Sequence, residues 1–546
     1  MKPSHIVRPV FDDRNLVSGA GLVPVMRLGE AAGLQERLGG LSVASPNAGC
    51  KAAAVIGGML AGADSIEDLD VLRHGGMRRL FEGVRAPSTL GTFLRCFSHG
   101  HVQQVDQIGA QVLGGLAARV PQLLGGGRDA DGIAILQQEH IATPKLLHAG
   151  TGTMQGGELV QVIVLEEIKN SKNIEELWPT LKPKARLELA KKLVKVIALH
   201  HDADIIHTDL HLKNFLVTDD FVYTLDGDGI RQYAGLTYKR ALHNLAEMVS
   251  KFDALEQAEW LHQLLDAYHT IISWHLPMGA EQVAPLANHY RLKAVNNYAN
   301  KVFRNCTDVS VSQSKSAFQA WSNAFDLPKD LDLDALLESG ARLKSGNTCT
   351  VALAEIKDKP VVIKRYNIKG WAHAFSRAFR TSRAAVSWGN AHRLKMLGIP
   401  TAAPIASLET RKFGFLRGKA YFLTEFINVP DAMEFFAQTQ DKGARADAVK
   451  NICTLFYRLY LLQISHGDMK ATNIKMQGTQ PALIDLDAMR QHSRPCLKAH
   501  VRDLRRFMQN WKSQPALYNA FVKTFRAVYA DTRPLELAGV FENVAR

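Results

Sequence analysis

Apolar residues along this chain follow two patterns, and the two alternate in a regular order. Stripes with a spacing of three or four residues occur at 189–197 and again at 452–462, and this spacing predicts helices with one buried face. Short runs dominated by apolar residues, at 160–165, 361–363 and 421–427, predict buried strands. Helices and strands are therefore mixed along most of the chain, and the pattern predicts an α+β fold.

A polar segment follows the second helical stripe, and a short apolar strand with two acids follows that segment. The segment reads HGDMKATN at 466–473, and LIDLD occupies 483–487. An acid and an amide five residues apart, with a further acid after a strand, suit phosphoryl transfer from a magnesium nucleotide. One carboxylate can orient the acceptor hydroxyl while the other groups hold the metal. The pattern resembles the catalytic and metal loops of the protein-kinase-like superfamily.

This resemblance implies a role for each polar side chain of the two loops. Asp468 is expected to orient the acceptor hydroxyl and take its proton, and Lys470 to offset charge on the transferring phosphoryl group. The expected magnesium ligands are Asn473, Asp485 and Asp487. Asp503, further along the chain, is expected to be a buried anchor for the catalytic loop.

Residues before the catalytic loop supply the expected nucleotide site. Lys364 directly follows the apolar run 361–363, as the lysine does in the V-A-I-K strand of kinases. It is expected to pair with the nucleotide phosphates. Gly346 lies in the polar turn of a predicted hairpin, where kinases place the loop that covers the phosphates. Glu425 and Ile427 stand in the predicted hinge strand, whose backbone would bind adenine. The expected cofactors are ATP and Mg²⁺.

An acid that kinases use is missing from this region. Kinases pair the strand lysine with a helix glutamate, but no Asp or Glu occurs from Trp371 to Gly398. Asn390 occupies a plausible helix position, although an amide cannot form a full ion pair. Either Lys364 is held by other groups or the unit is weakly active. The same region is rich in arginine and aromatic residues, which favours core packing and leaves contact with anionic lipid or phosphorylated sugar open.

The catalytic segment has an earlier counterpart at one constant offset. HTDLHLKN at 207–214 is followed by TLDGD at 224–228, and the shared polar residues precede their counterparts by 259 positions. The degenerate candidates of this first copy are Asp209, Asn214 and Asp226. Upstream, no lysine occurs from Ala52 to Pro144. We therefore predict two kinase-like units in tandem, of which the first lacks most of its N-lobe and is inactive.

These patterns divide the chain into three predicted parts. They are a mostly helical N-terminal segment (1–127), a truncated kinase-like unit (128–325) and a complete kinase-like unit (326–546) with its N-lobe at 326–427 and its C-lobe at 428–546. Within the second part, residues 276–316 are predicted to form a helical tail and a polar connection.

The N-terminal segment is foreign to the rest in composition, since it holds 21 of the 41 glycines and only two lysines. FDD at 11–13 and PSTLGTFLR at 87–95 resemble the N-terminal region of DDE-class insertion-sequence transposases. The resemblance ends near residue 124, before the catalytic carboxylates of that class. A working transposase is therefore excluded, and nucleic acid is not an expected partner. The segment is interpreted as a passive fused fragment, with residual DNA binding as the alternative.

Net charge and the distribution of cysteines indicate the kind of partner and the cellular compartment. The net charge of +13 and a pI near 9.3 favour an anionic partner, and a basic but unspecialised surface is the alternative. Six scattered cysteines without a C-x-x-C pair argue for a reducing compartment and against structural zinc. No apolar run approaches the ~20 residues that a membrane-spanning helix needs. We expect a cytoplasmic protein, and peripheral contact with the inner face of the cytoplasmic membrane stays open.

Several segments together are similar to the bacterial lipopolysaccharide kinase family. They are IPT at 399–401, HGDMKATN at 466–473, LIDLDAMR at 483–490 and, in the first copy, TLDGDG at 224–229. This resemblance covers about residues 130 to 546. It implies a protein-kinase-like fold and phosphorylation, with ATP and Mg²⁺, of Kdo or heptose sugars of the lipopolysaccharide inner core. It also implies lipopolysaccharide core or another anionic glycan as the partner.

Two other interpretations stay open at this point. The first is a kinase for a protein or a small metabolite, because no residue of the chain identifies the acceptor. The second is a non-catalytic fusion whose kinase-like units bind nucleotide without transferring phosphate. The missing helix acid and the truncated first unit favour this second alternative.

Overall fold

The computed structural model describes most of the chain, which divides into two compact units. One unit comprises residues 1–181 with 199–235, and the other comprises 182–198 with 236–546. The described residues are 17, 19–81, 83–98, 100–102, 104–105, 107–109, 111–112, 126–153, 159–272, 274, 277–328, 331–345, 349–367, 381–412 and 416–541.

The N-terminal part of the first unit is built from short helices. They are α1 (Leu22–Ala31), α2 (Leu34–Gly39), α3 (Ala48–Leu60) and α4 (Pro87–Arg95). Helix α4 begins at Pro87, because the fixed φ of proline suits a first helical turn and its missing N–H would have no partner there. The helices meet in small apolar clusters, one of which contains Leu38 and Phe93.

The remainder of the first unit contains the earlier catalytic segment. Its elements are α5 (Gly126–Gln138), β1 (Leu146–Thr153), β2 (Leu159–Leu165), β3 (Lys172–Asn173), α6 (Ile174–Leu177), β4 (Ile205–His207), β5 (Phe215–Val217), β6 (Val222–Thr224) and β7 (Ile230–Gln232). Strands β1 and β2 form an antiparallel hairpin that no other described strand extends. The predicted strand at 160–165 is thus present, but it is not buried, since Val162 and Val164 are 48% and 43% exposed. A sheet of two strands leaves these side chains in contact with solvent.

Helices dominate the chain from residue 182 onward. They are α7 (Pro183–Asp202), α8 (Tyr238–Val249), α9 (Ala254–His269), α10 (Ala280–Lys301), α11 (Leu333–Ser339), α12 (Arg383–Met396), α13 (Ala432–Gln438), α14 (Lys442–Leu461), α15 (Leu497–Met508), α16 (Pro515–Val528) and α17 (Arg533–Ala538). Within the described ranges, no helix combines the length and the apolar character that crossing a bilayer requires.

One lobe of the second unit is a seven-stranded antiparallel sheet. Its strands are β8 (Val309–Gln313), β9 (Ala317–Ser322), β10 (Ala341–Ser345), β11 (Cys349–Ile356), β12 (Lys359–Tyr366), β13 (Pro404–Lys412) and β14 (Leu416–Glu425). Their order is β10-β11-β12-β14-β13-β9-β8. Four short strands lie in the helical lobe, where they pair as β15 (Ile464–Ser465) with β18 (Arg490–Gln491) and as β16 (Ile474–Gln477) with β17 (Gln480–Leu483). The predicted α+β class is confirmed, and it fits a kinase-like fold.

The helical lobe has an aromatic core. The predicted stripe at 452–462 is the buried face of α14, and Phe456 on it contacts the rings of Phe507 and Phe525. Each such side chain contributes about 1.5–3 kcal/mol by leaving water. The loops that carry the polar residues of the second copy are therefore attached to a well-packed base.

The prediction for residues 276–316 is wrong in part. Helix α10 supplies the helical tail, but the polar connection is strand β8, and with β9 it extends the seven-stranded sheet next to β13. Val309 on β8 is buried while serines occupy alternating positions. A strand with a single buried face needs only every second residue to be apolar, so its polar composition concealed it.

Candidate active site

The loop at 466–473 is held at its base by one buried acid. Asp503 on α15 accepts hydrogen bonds from the backbone N–H of His466 at 2.7 Å and of Gly467 at 3.0 Å. Burial raises the pKa of Asp503, and these bonds act against that rise. His466 is itself fully buried, and its Nε2 lies 2.9 Å from the carbonyl oxygen of Ile484. Asp503 is thus the anchor that the sequence predicts.

Gly467, the residue after His466, has a backbone conformation that favours glycine. Its φ is +83°, a left-handed conformation that side chains other than glycine rarely adopt. A Cβ there would also lie 2.7 Å from the carbonyl oxygen of Ala488. This close approach brings the catalytic loop against the loop that carries Asp485 and Asp487.

Asp468, the predicted catalytic base, is paired with two cations. Its carboxylate lies 2.7 Å from Lys470 Nζ and 3.4 Å from Arg506 Nε. Burial acts to raise the pKa of Asp468, but the hydrogen bond and charge of Lys470, helped by Arg506, outweigh burial and lower it. The side-chain amide of Asn473 donates to the main-chain carbonyl of Asp468 at 2.8 Å and fixes the loop between them.

Lys364 is held by the two acids of the second loop. Its Nζ lies 2.5 Å from Asp485 Oδ1 and 2.9 Å from Asp487 Oδ2, and Arg383 contacts the same Oδ2 at 2.7 Å. Burial would lower the pKa of Lys364, but Tyr366 and the two carboxylates raise it above its usual value. The charge of Lys364 acts in turn on Asp485, whose pKa is lowered although burial works in the opposite direction. The missing helix glutamate is therefore replaced by Asp485 and Asp487.

Asn390 on α12, at a plausible position for the kinase glutamate, binds the second loop. Its side-chain amide donates to the carbonyl oxygens of Leu486 and Met489, both at 2.9 Å. Asn390 is 3% exposed, so both bonds lie away from water. The amide thus stabilises the loop that holds the lysine, while the ion pair itself is made elsewhere.

A cavity of about 570 Å³ lies over these groups. Lys364, Asn473 and Asp485 contribute to its wall, and so do the predicted hinge residues Glu425 and Ile427. Gly346 lies outside the described residues, as do the aromatic residues from Trp371 to Phe379. Five of the predicted second-copy residues therefore line one cavity, while Asp487 contacts Lys364, and Asp468 contacts both Asn473 and Lys470.

The first copy repeats the local geometry of the loops. The amide of Asn214 donates to the carbonyl of Asp209 at 2.9 Å, as Asn473 does to Asp468. Asp226 has a φ of 59° and Asp485 one of 62°, and a positive φ is uncommon for aspartate. The turn after Asp226 lies against helix α5, where a Cβ on Gly132 would come within 1.9 Å of the carbonyl oxygen of Gly227.

The charges of the first copy differ from those of the second. Val105 stands 259 positions before Lys364, where the offset between the copies would place the lysine of the first copy, and it lies in a helical stretch. The pKa of Asp226 is raised, first by burial and then by the charges of Asp129, Asp209 and Asp228. Asn214 donates to the carboxylates of both Asp209 and Asp226, at 3.1 and 3.2 Å. The acids of this copy therefore lie close together without the lysine that the second copy has.

Arg383 and Arg506 were not predicted as site residues. Arg383 begins α12, and only the folded chain brings it to Asp487. Arg506 stands one helical turn after Asp503 on α15, so its side chain faces the same loop. That spacing was the available sequence signal for Arg506, and none was available for Arg383.

The sheet lobe, the helical lobe and the lysine–acid cluster between them define a protein of the kinase-like class. The model of the lipopolysaccharide kinase (Kdo/WaaP) family matches residues 124–268 and 337–529. Together these ranges cover more than half of the chain, and the chain belongs to this family.

Two further comparisons complete these findings. A search of curated proteins found no match. Among solved structures, "WaaP in complex with acyl carrier protein" aligns with 39% of this chain and 95% of its own chain, with 14% identity and a TM-score of 0.28.

Proposed function

We propose that this protein is an ATP-dependent phosphotransferase that phosphorylates a sugar hydroxyl of the lipopolysaccharide inner core, with activity in the second copy. The observation that carries the proposal is the pairing of Lys364 with Asp485 at the wall of a cavity that is also lined by Asn473, whose amide binds the carbonyl of Asp468. Membership of the lipopolysaccharide kinase family supports the substrate class. Lipopolysaccharide core, or another anionic glycan, is then the partner.

Asp468 is the proposed catalytic base. Its lowered pKa keeps it ionised at neutral pH, so it can accept a hydrogen bond from the acceptor hydroxyl and take its proton during transfer. Lys470, 2.7 Å from Asp468, places a positive charge where the transferring phosphoryl group would develop negative charge. Arg506 adds a second cation on the same side of the loop.

The donor groups of the second loop fit a hard divalent cation. Magnesium prefers oxygen ligands, and bound Mg²⁺ would neutralise charge on the nucleotide phosphates. Asn473 uses its Nδ2 on the Asp468 carbonyl, which leaves Oδ1 available. Asp485 binds Lys364 through Oδ1 and has Oδ2 for a metal. Among the described residues, no group of three or more His, Cys, Asp and Glu side chains is placed to hold a metal ion, and the proposed set consists of one amide oxygen and one carboxylate.

Asp487 receives a different role in this proposal. It is only 5% exposed, and one of its oxygens already meets both Lys364 and Arg383. We assign it to positioning Lys364 for the phosphates, with Asp485 as the shared group between lysine and metal. Glu425 and Ile427 would face adenine from the cavity wall, and Gly346 would belong to the loop that covers the phosphates.

The two matched ranges support a chain with two kinase-like copies. The copy proposed at 128–325 lacks the lysine strand, and the copy proposed at 326–546 is complete and also takes strands β8 and β9 into its sheet, after an N-terminal segment at 1–127. The matching hydrogen bonds of Asn214 and Asn473 support a tandem duplication. The N-terminal segment is proposed to be a transposase-derived fragment without a catalytic role. A cytoplasmic location, with peripheral contact at the inner membrane surface, would bring the positively charged protein to its anionic substrate.

The experiment that tests this function is transfer of labelled γ-phosphate from ATP to purified lipopolysaccharide core. Wild type, Asp468→Asn and the matched first-copy variant Asp209→Asn are compared in the presence of Mg²⁺. Label in the core from wild type and Asp209→Asn, but not from Asp468→Asn, is expected. ATP binding without label in any sample would instead support the non-catalytic fusion, and label in a protein or metabolite acceptor alone would support the other kinase class.

A further inference from the structure

A second cleft of about 340 Å³ lies in the second unit, and it shares no described lining residue with the cavity above. One wall is a stripe of helix α10 that includes Asn288, Lys293 and Asn296. The opposite wall comes from the ends of the β15–β18 pair, with Gln463 before β15 and Gln491 at the end of β18. Polar side chains from two separate elements therefore converge on one space.

Buried polar atoms in this cleft have no partner within the described part of the protein. They are Asn288 Oδ1, Gln463 Oε1 and both side-chain polar atoms of Gln491. Buried polar groups in folded proteins are nearly always hydrogen-bonded, because losing water without gaining a partner is costly. Four such atoms around one cleft indicate that an occupant with several hydrogen-bonding groups belongs there. Amide oxygens need donors and the amide nitrogen needs an acceptor, and a hydroxyl group can serve as either.

The charge of the lining selects among polar occupants. Lys293, His289 and His492 line the cleft, and none of the described lining residues is acidic. Lys293 is exposed at the mouth, so its ammonium group can reach an anionic substituent of a molecule whose other groups lie deeper. A neutral polyol would satisfy the amides but would leave this positive charge unused.

We propose that this cleft is a second ligand site that binds a small polyhydroxylated acid, either a sugar acid or a sugar phosphate. Its hydroxyl groups bind the amides of Asn288, Gln463 and Gln491, and its acidic group binds Lys293. The site is separate from the proposed catalytic cavity, and it does not require that the protein transfers phosphate.

A chain of side-chain contacts leads from this cleft to the active-site loop. Arg393 on α12 donates to Asn296 Oδ1 at 3.2 Å and also binds the side-chain oxygen of Asn390. Asn390 in turn holds the carbonyls of Leu486 and Met489. An occupant that shifts Asn296 therefore acts on the loop next to Asp485 through two side chains. The cleft is placed to couple its ligand to nucleotide binding, a coupling that works equally in both directions.

The test measures ligand binding to the full chain without ATP, by saturation-transfer NMR. The probes are gluconate and glucose 6-phosphate, with neutral glucose and inorganic phosphate as controls that carry only one half of the chemistry. We expect binding of at least one acid probe, at least about tenfold weaker binding of glucose and of inorganic phosphate, and no loss in Asp468→Asn. Gluconate and glucose 6-phosphate distinguish a carboxylate from a phosphate as the preferred acidic group.

Two variants locate the binding. Gln491→Leu removes both orphaned amide atoms and should abolish the signal, while Gln440→Leu, an exposed glutamine outside the cleft, should leave it unchanged. Lys293 lies at the surface, so Lys293→Met should leave the fold intact. It should weaken binding of the acid probes about tenfold without affecting binding of glucose. Absence of binding by both acids overturns the proposal, as does binding that survives both Gln491→Leu and Lys293→Met. Phosphate transfer to lipopolysaccharide core is measured separately. Failure of the proposed catalytic function can therefore be distinguished from failure of the proposed second ligand site.

Discussion

The loops at 207–228 and 466–487 share two features of backbone geometry and differ in their electrostatics. In both, an asparagine amide binds the carbonyl of the aspartate five residues earlier, and the acid of the following loop has a positive φ. In the later copy Lys364 lowers the pKa of Asp485, whereas in the earlier one burial and three neighbouring acids raise the pKa of Asp226. Loop geometry thus survives without the cation that would make it useful for nucleotide binding. Fold and charge are separable properties of this site.

The largest expected difference between the copies is in catalysis. Asp468→Asn removes the proposed base and should lower phosphate transfer by about 10²–10⁴-fold, whereas Asp209→Asn should change it less than about twofold. Initial rates with lipopolysaccharide core at saturating ATP measure both. Similar losses in the two variants would mean that the earlier copy takes part in the reaction.

The second comparison concerns Asp487 and Asp228, the acids two residues after Asp485 and Asp226. Asp487→Asn leaves Lys364 and Arg383 without the buried carboxylate between them, which should cost about 3 kcal/mol of stability. A displaced lysine should also lower transfer about 10²-fold. Asp228 is exposed, and Asp228→Asn should lower neither the stability nor the rate of transfer. Thermal unfolding and nucleotide titration test the pair, and an unchanged affinity for nucleotide in Asp487→Asn would contradict the positioning role.

Substitutions in the helix that lies against each loop are expected to have a smaller effect on phosphate transfer. Asn390→Ala loses the two bonds to Leu486 and Met489 and should reduce transfer about tenfold, mainly through weaker nucleotide binding. On α5, the helix that lies against the loop of the earlier copy, Gly132→Ala would crowd the backbone of Gly227 but should leave the rate unchanged. KM for ATP and kcat are measured separately. A loss confined to kcat would show that the loop acts on transfer and not on binding.

The smallest expected effect is a pH dependence of opposite sign in the two copies. The lowered pKa of Asp485 contributes stability that is present above the unfolded pKa and is lost as pH falls through the folded pKa. The raised pKa of Asp226 means that its ionised form destabilises the fold, and this cost disappears as pH falls through that raised pKa. At pH 7, Asp226→Asn should therefore raise the melting temperature by about 2 °C and Asp485→Asn should lower it. Both differences should shrink as pH falls through the folded pKa of each acid, and a difference that persists once both acids are protonated would exclude ionisation as its cause.

Sequence reasoning was most successful where function depends on local spacing. The anchor Asp503 and the convergence of Lys364, Asn473 and Asp485 were implied by the resemblance of their segments to the strand and loops of kinases. Arg383 is not part of that pattern, so no sequence signal marked it as the partner of Asp487. Strand β8 was hidden by its serines, and the open hairpin β1–β2 was predicted as buried because composition does not reveal what covers a strand.

That hairpin has a consequence for handling the protein. A strand whose edge carries unpaired amide and carbonyl groups is a template for an extended segment of another molecule. Strand β2 is paired with β1 alone among the described strands, and Val162 and Val164 on it face water. The corresponding strand β14 is enclosed between β12 and β13. Concentrated samples are therefore expected to aggregate through the hairpin of the first unit, and a lysine in place of Val164 should keep them in solution for longer.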